Sequence, residues 1–470
     1  MASFSRIVPL VVASALFMEN TDSTVIATSL PAIAADLGED PVILKLAFTT
    51  YLLSLTVFIP VSGWCADRFG ARNVFRAAIA IFTLASIACG LAANLEQLIA
   101  ARFLQGLGGA MMVPVGRLII LRTTAKSELV QALALLTIPA LIGPLIGPPL
   151  GGFITTYFHW RWIFWINIPV GLLGLGLATL YMPDIREEGA GKLDVPGFLL
   201  SAAGLTSLVF GTTVIGRDVL PPHAPLALMI FGAVLLVLYV FHARRTPRPI
   251  LDLKLLRIPT FRAGVVGGSF FRLGIGAIPF LLPLMLQLGF GMTPFASGSL
   301  TFAAALGALT MKFTASRILK RFGFRSALLV NTLVSVSFLA GQSLFTPETP
   351  HLVIFAVLLA GGFFRSLQFT AINAMSYSDI PARDMASATS FSSVAQQLSL
   401  SLGVAFAAFI LELAQYMRGE AVLTVADFSF AFLAIAAVSA LSIFSFFRLA
   451  HDAGAEVSGR VIQPVEKSLG

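Results

Sequence analysis

Gly63-Trp64-Cys65-Ala66-Asp67-Arg68-Phe69-Gly70-Ala71-Arg72 is a short cationic turn set between two long apolar runs. A second turn reads Ser316-Arg317-Ile318-Leu319-Lys320-Arg321-Phe322-Gly323-Phe324-Arg325, so Arg321-Phe322-Gly323 repeats Arg68-Phe69-Gly70 at a spacing of 253 residues. The apolar segment that opens near Arg6 has its counterpart near Pro259 at the same spacing. A membrane chain made of two similar halves has the build of a transporter, with the solute site between the halves.

Composition supplies the membrane part of that reading. Hydrophobic residues make up 57% of the 470 residues and charged residues only 11%, and mean hydropathy is +0.90. So few charges cannot clothe a soluble core of this size. Fourteen segments approach the roughly 20 apolar residues that cross about 30 Å of hydrocarbon. They lie near 7–34, 43–65, 74–94, 97–121, 128–156, 162–182, 195–215, 223–242, 260–289, 294–318, 325–345, 351–377, 385–416 and 427–448. Continuous runs of that length are helices; a membrane barrel would show alternating ten-residue strands. The expected fold is all-α and polytopic.

The repeat spacing pairs segments 1–6 with segments 9–14 and leaves 7 and 8 as an insertion. The expected divisions are a first six-helix bundle over 1–190, two inserted helices and a basic loop over 191–258, a second bundle over 259–450 and a tail over 451–470. An even helix count puts both ends on one side. Most Lys and Arg gather there, including Arg68, Arg72, Arg76, Arg122, Lys126, Arg244, Arg245, Arg248, Lys254, Lys320, Arg321 and Arg325, whereas the opposite loops hold Lys45, Arg161, Arg217 and Arg418. The positive-inside rule makes the basic side cytoplasmic. The net charge of +8 is thereby a topology signal, which argues against nucleic-acid binding. Arg6, an apolar run and Ala32-Ile33-Ala34 imitate a cleavable signal, but Glu19, Asn20 and Asp22 interrupt the run, so it reads as a retained first helix.

Enzyme chemistry finds no support. His159, His223, His242, His351 and His451 do not cluster, Cys65 and Cys89 form no CxxC pair, and no GxxxxGK[ST] loop is present. No metal or organic cofactor is expected; the proton is the expected coupling ion.

The ionisable residues inside the apolar segments carry the chemistry. Glu19 and Asp22, three apart on the first helix, share a face. An ionised side chain at mid-bilayer costs roughly 2.5–3.5 kcal/mol on insertion scales, and such an acid suits a proton carrier. Arg102, in the string Arg102-Phe103-Leu104-Gln105-Gly106, can bias a nearby acid toward releasing its proton. Gly143, Gly147 and Gly151 recur every four residues as a smooth stripe, and Pro144 and Pro148 with the same step loosen the helix that carries them. Asp67 in the turn is placed to latch onto a basic residue or helix N-terminus of the other half. Arg102, Arg117, Arg272, Lys312 and Arg365 outnumber the two deep acids, with Glu128 and Glu412 read as segment ends within reach of water. That cationic excess suggests a cavity for an anionic or zwitterionic solute, lined by Arg272, Arg365, Gln368, Asn373, Phe270 and Phe364.

These motifs resemble those of the major facilitator superfamily over essentially the whole chain. The Gly-x-x-x-Asp-Arg-x-Gly-x-Arg pattern of Gly63, Asp67, Arg68, Gly70 and Arg72 is similar to that superfamily's most diagnostic turn. The Arg102 string and the Gly-Pro-rich helix around Gly143 resemble its drug/proton antiporter signatures. Asp22 to Pro31 and Trp160 to Gly171 are similar to the fourteen-helix, EmrB/QacA-type drug antiporters. The resemblance implies a bacterial inner membrane, both termini in the cytoplasm, and two six-helix bundles plus two extra helices that rock about a central site. It implies coupling through Asp22 and Arg102, a latch at Asp67, and antiport tied to the Gly143 helix. Glu19 departs from the pattern, which has an uncharged polar residue there, and so adds a second titratable group. The implied function is proton-coupled export of amphipathic drugs or other small molecules, the alternative being export of an anionic or zwitterionic metabolite. Some members work with a periplasmic adaptor; no segment here marks one.

Overall fold

The computed structural model describes residues 4–123, 129–186, 192–214, 221, 223–247, 249–381, 384–419 and 422–454. Lys126, Glu128, Arg217, Arg248 and the tail residues 455–470 lie outside them. All regular structure among the described residues is helical. The first bundle comprises α1 (Phe4–Val25), α2 (Leu30–Leu37), α3 (Lys45–Phe69), α4 (Ala71–Leu91), α5 (Leu95–Thr123), α6 (Leu129–Tyr157), α7 (Trp162–Trp165) and α8 (Asn167–Tyr181). Next come α9 (Val195–Val214) and α10 (Ala224–Arg245). The second bundle holds α11 (Pro259–Arg262), α12 (Gly268–Leu284), α13 (Pro294–Lys312), α14 (Ala315–Gly341), α15 (His351–Ser376), α16 (Met385–Arg418), α17 (Val425–Ala440) and α18 (Ser442–Phe447).

Among the described residues twelve helical stretches are long and apolar enough to cross a membrane. The expected count of fourteen spans is thus supported for twelve. α1 stands outside that set because Glu19, Asn20 and Asp22 dilute its apolar run.

The duplication is legible in the packing. In the first bundle α1 lies against α6 and α8, α5 against α3 and α4, and α4 against α8; the matching pairs α12–α16, α12–α17, α13–α15, α14–α15 and α14–α17 recur in the second. The bundles meet through α3 with α16 and through α6 with α13, two crossings that the same two-fold relation exchanges. α9 wedges beside α3 and α16, its Val209 packed with Leu53, Val57, Leu398 and Leu402, and α10 lies outside it.

Both Arg-Phe-Gly turns bend at their glycine. Gly70 has φ +89° and Gly323 φ +73°, a region that side chains with a Cβ rarely enter. At the other end of the bundles α1 tightens into a 3₁₀ turn, Ile26–Thr28; α12 is flanked by π-helical turns, Ala263–Gly267 toward the Arg-Phe-Gly turns and Met285–Gly289 at the opposite end. The ends nearest Gly70 and Gly323 form the turn face of the molecule, the opposite ends its far face.

Candidate functional site

The first bundle encloses a polar network. Arg102 on α5 is fully buried and Asp22 on α1 is 2% exposed. Arg102 Nη1 donates to Asp22 Oδ2 at 2.6 Å. Gln105 Nε2 and Asn167 Nδ2 both donate to Asp22 Oδ1, at 2.7 and 2.9 Å. Gln105 also accepts from Arg102 Nη1 at 2.6 Å and donates to Ser86 Oγ at 2.9 Å, and the Arg102 guanidinium lies 4.3 Å over the Tyr51 ring. A buried charge is tolerated when it is paired and hydrogen-bonded, and both oxygens of Asp22 are met, although Arg102 Nη2 has no partner among the described residues.

Glu19, one turn earlier on α1, has the opposite surroundings. Its Oε2 is buried without a hydrogen-bond partner among the described residues, and so is Tyr51 Oη. Both border Gly109 of α5, where a Cβ would lie 3.3 Å from Tyr51 Oη and 3.7 Å from Glu19 Cδ. Unmade hydrogen bonds of this kind cost roughly 1–3 kcal/mol each, so a proton, water or solute is the natural missing partner. Two turns farther toward the turn face on the same side of α5 stands exposed Arg117. Lys312 also reaches the surface, donating to Thr370 Oγ1 at 2.8 Å, as snorkelling requires.

The glycine stripe of α6 faces α1. A Cβ at Gly143 would come within 3.0 Å of Asn20 and Thr21, one at Gly147 within 2.0 Å of Thr24 Oγ1, and one at Gly151 within 2.4 Å of Val25 O. Pro144 and Pro148 lie half-buried on α6, and Thr28 Oγ1 donates to Pro148 O at 3.5 Å. The next glycine serves the other bundle: at Gly152 a Cβ would meet Pro294 O, and at Gly298 of α13 it would meet Pro148 O.

Among the described residues every hydrogen bond between the bundles lies toward the far face. Lys45 Nζ of α3 donates to Glu412 Oε1 of α16 at 2.6 Å, Gln287 Nε2 to Thr28 O at 2.9 Å, Phe295 N to Thr156 Oγ1 at 3.0 Å and Ser401 Oγ to Thr49 O at 3.5 Å. Lys45, expected in a loop, is completely buried, and Glu412 is 12% exposed where water was expected. The two-fold places the start of α3 against the end of α16, so neither charge stays at a free helix end. Beyond this seam Asp36 accepts from Trp160 Nε1 at 3.0 Å and Arg161 Nη1 at 2.8 Å. Burial alone would push its carboxyl up, but those hydrogen bonds and the charges of Arg161 and His159 hold it below the usual 3.8. That clamp releases only as pH falls below the ordinary carboxylate range.

At the turn face Asp67 Oδ1 accepts from Arg122 Nη1 of its own bundle at 2.9 Å; among the described residues no hydrogen bond joins Asp67 to the other half. Arg68 is exposed and Arg72 half-buried, Gly70 abuts Asp184 and Arg186, and a Cβ at Gly63 would meet nothing within 4 Å.

The residues expected to line one second-half cavity are dispersed. Arg272 is fully buried, donating to Asn373 Oδ1 at 2.8 Å with its guanidinium 5.3 Å over Phe369. Gln368 is spent on the α14–α15 crossing, where it donates to Thr332 Oγ1 at 2.7 Å and accepts from Asn331 at 2.9 Å. Phe364 stacks on Phe338 at 5.6 Å, and Phe270 is partly exposed. Arg365 alone of the six borders the cavity inside this bundle. Gln105, Asn167, Ser86 and Tyr51 are site residues that the sequence reading passed over. Gln105 stands one turn from Arg102, and the others are isolated polar groups in apolar helices, a faint signal without their partners.

A sequence model described as Major Facilitator Superfamily matches residues 12–249 and 264–465. The MdtD protein of Escherichia fergusonii, named as a multidrug resistance protein, is 38% identical over 448 residues, 94% of each chain. The MdtD of Shigella boydii is 38% identical over the same share. Among solved structures, a D-xylose-proton symporter superposes with TM-score 0.69 at 14% identity, covering 95% of this chain and 98% of that one. A bacterial homologue of the human lysosomal transporter Spinster, inward-facing and unoccupied, gives 0.66 at 14% identity over 98% and 99%.

Proposed function

The chain belongs to the major facilitator superfamily, and from that premise we propose a multi-pass secondary transporter that exports amphipathic small molecules in exchange for protons. The observation that carries the coupling is Glu19, a buried acid with an orphan oxygen one turn from the saturated Asp22. The excess of Lys and Arg near the turn face supports a cytoplasmic position for it and for both termini. On that orientation the far-face seam seals the outside while solute enters from the cytoplasm. Solute arriving in the cavity and a proton leaving Glu19 for cytoplasmic water, on the side where Arg117 stands, then belong to one state. Opening of the far face exchanges them in reverse. Asp22 and Arg102 hold α1 and α5 at fixed spacing through the cycle, and Asp67 exchanges its Arg122 partner for one across the interface when the turn face closes. The multidrug name of the 38%-identical relatives supports amphipathic solutes as the cargo.

The test is transport in proteoliposomes with an imposed pH gradient, using a panel of amphipathic cations and anions. Glu19→Gln should lose gradient-driven accumulation of every probe the wild type carries, while still exchanging labelled for unlabelled probe. Concentrative export by Glu19→Gln at the wild-type level would remove Glu19 from the coupling.

A further inference from the structure

α10 carries a one-sided apolar stripe. Ile230, Phe231, Val234, Val237, Leu238 and Phe241 are all exposed, and at 100° per residue they fall within an arc of about 120°. Buried Gly232, Tyr239 and Ala243 lie on the opposite side of the helix. There Gly232 abuts Gly204 and Leu208 of α9, and Tyr239 packs with Leu205. An exposed apolar stripe on a helix long enough to cross a membrane faces acyl chains. From Ile230 to Phe241 it rises about 17 Å at 1.5 Å per residue, enough to carry a chain through one leaflet.

The stripe ends in two cations. Arg245 falls inside the same arc and Arg244 about 20° beyond its edge. Both are exposed, and neither has an ion-paired partner among the described residues. Topology asks for basic residues at this end of the helix, but not for both of them on the side that faces lipid. The acids close by in sequence are already engaged. Asp194, whose side chain is 7% exposed, meets His242 Nε2 at 2.7 Å and accepts from Ile250 N at 3.2 Å. Asp252 Oδ1 accepts from Lys254 N at 2.9 Å. Tyr239 Oη donates to Leu251 O and accepts from Leu251 N, both at 2.8 Å. These bonds fold the following loop back against the end of α10. Its 3₁₀ turn, Leu253–Arg257, adds exposed Lys254 and Arg257, which share a side at a spacing of three.

We propose that this end of α10 is a binding site for an anionic phospholipid, with its phosphate on Arg244 and Arg245 and an acyl chain along the stripe. Guanidinium donors match phosphate oxygens, and basic clusters at the membrane surface attract anionic head groups. A free anion would use the cations and leave the stripe idle; a neutral amphiphile would do the reverse. α10 packs on α9, which touches α3 of one bundle and α16 of the other, so the lipid is fixed to an element that both bundles share.

The experiment is lipid retention by the purified full-length protein in detergent, offered equal phosphatidylglycerol and phosphatidylcholine and read by native mass spectrometry. Wild type retains phosphatidylglycerol in preference. The double variant Arg244→Gln with Arg245→Gln loses about tenfold or more of that preference, and Arg244→Lys with Arg245→Lys keeps part of it. Arg321→Gln, at an exposed cation of the second Arg-Phe-Gly turn, leaves it unchanged. Size-exclusion elution checks the fold, and Arg245→Gln alone carries the test with a smaller loss if the double variant aggregates. Equal retention of the two lipids by wild type, no change in the Gln variants, or an equal loss in Arg321→Gln would overturn the site. Displacement of phosphatidylglycerol by inorganic phosphate would overturn it as well, since the stripe would then contribute nothing. Transport plays no part in this readout, so its outcome is independent of the exporter reading.

Discussion

Two acids three residues apart on α1 meet opposite fates, because three helical positions differ by about 60° in direction. That angle sends Asp22 among Arg102, Gln105 and Asn167 and leaves Glu19 beside Gly109. The sequence placed both acids on one face. It could not tell their surroundings apart, since the donors that meet Asp22 come from α5 and α8, 80 and 145 residues away. The contrast predicts opposite stabilities. Asp22→Asn strips the countercharge from a buried Arg102 and should cost about 3–5 kcal/mol. Glu19→Gln breaks no hydrogen bond and should melt within about 0.5 kcal/mol of wild type. Thermal unfolding in detergent reads both, and equal melting temperatures would refute the assignment of the network.

A helix in a membrane gains little from burying apolar surface, so its close contacts rest on shape. The stripe on α6 follows that rule: its four-residue step was visible in the sequence, and α1 as its partner was not. Gly147→Val should therefore cut the yield of folded protein sharply, because its Cβ alone would sit 2.0 Å from Thr24 Oγ1 with the α1 backbone close behind. Overpacking of this sort costs typically about 1–3 kcal/mol. Gly63→Ala is the control, as open space surrounds that position in this state. Monodispersity on size-exclusion chromatography separates the two. The π-helical turns of α12 were beyond sequence reading, since nothing in their composition marks an extra residue per turn.

Over the whole molecule the repeat anticipated that helix pairs packed in the first half recur in the second. It did not give the state. Lys45 and Glu412 look like solvated helix ends when each is read locally, and only the two-fold docking of α3 on α16 turns them into a buried tie. Glu412→Gln should weaken that tie and shift the population toward an open far face. Spin labels on opposite sides of the seam should then report longer distances than in wild type. An unchanged distance distribution would mean that the α6–α13 crossing closes this end unaided.

The seam has a consequence for the cell that houses the protein. Respiration charges the membrane like a battery, and any pore that let an acid touch both solutions at once would be a short circuit. With Lys45 and Glu412 fastened and the glycine-lined crossing of α6 on α13 pressed shut, an unloaded copy is an insulator. On the proposed exchange of solute for protons, many copies could therefore stand in the membrane without draining the gradient.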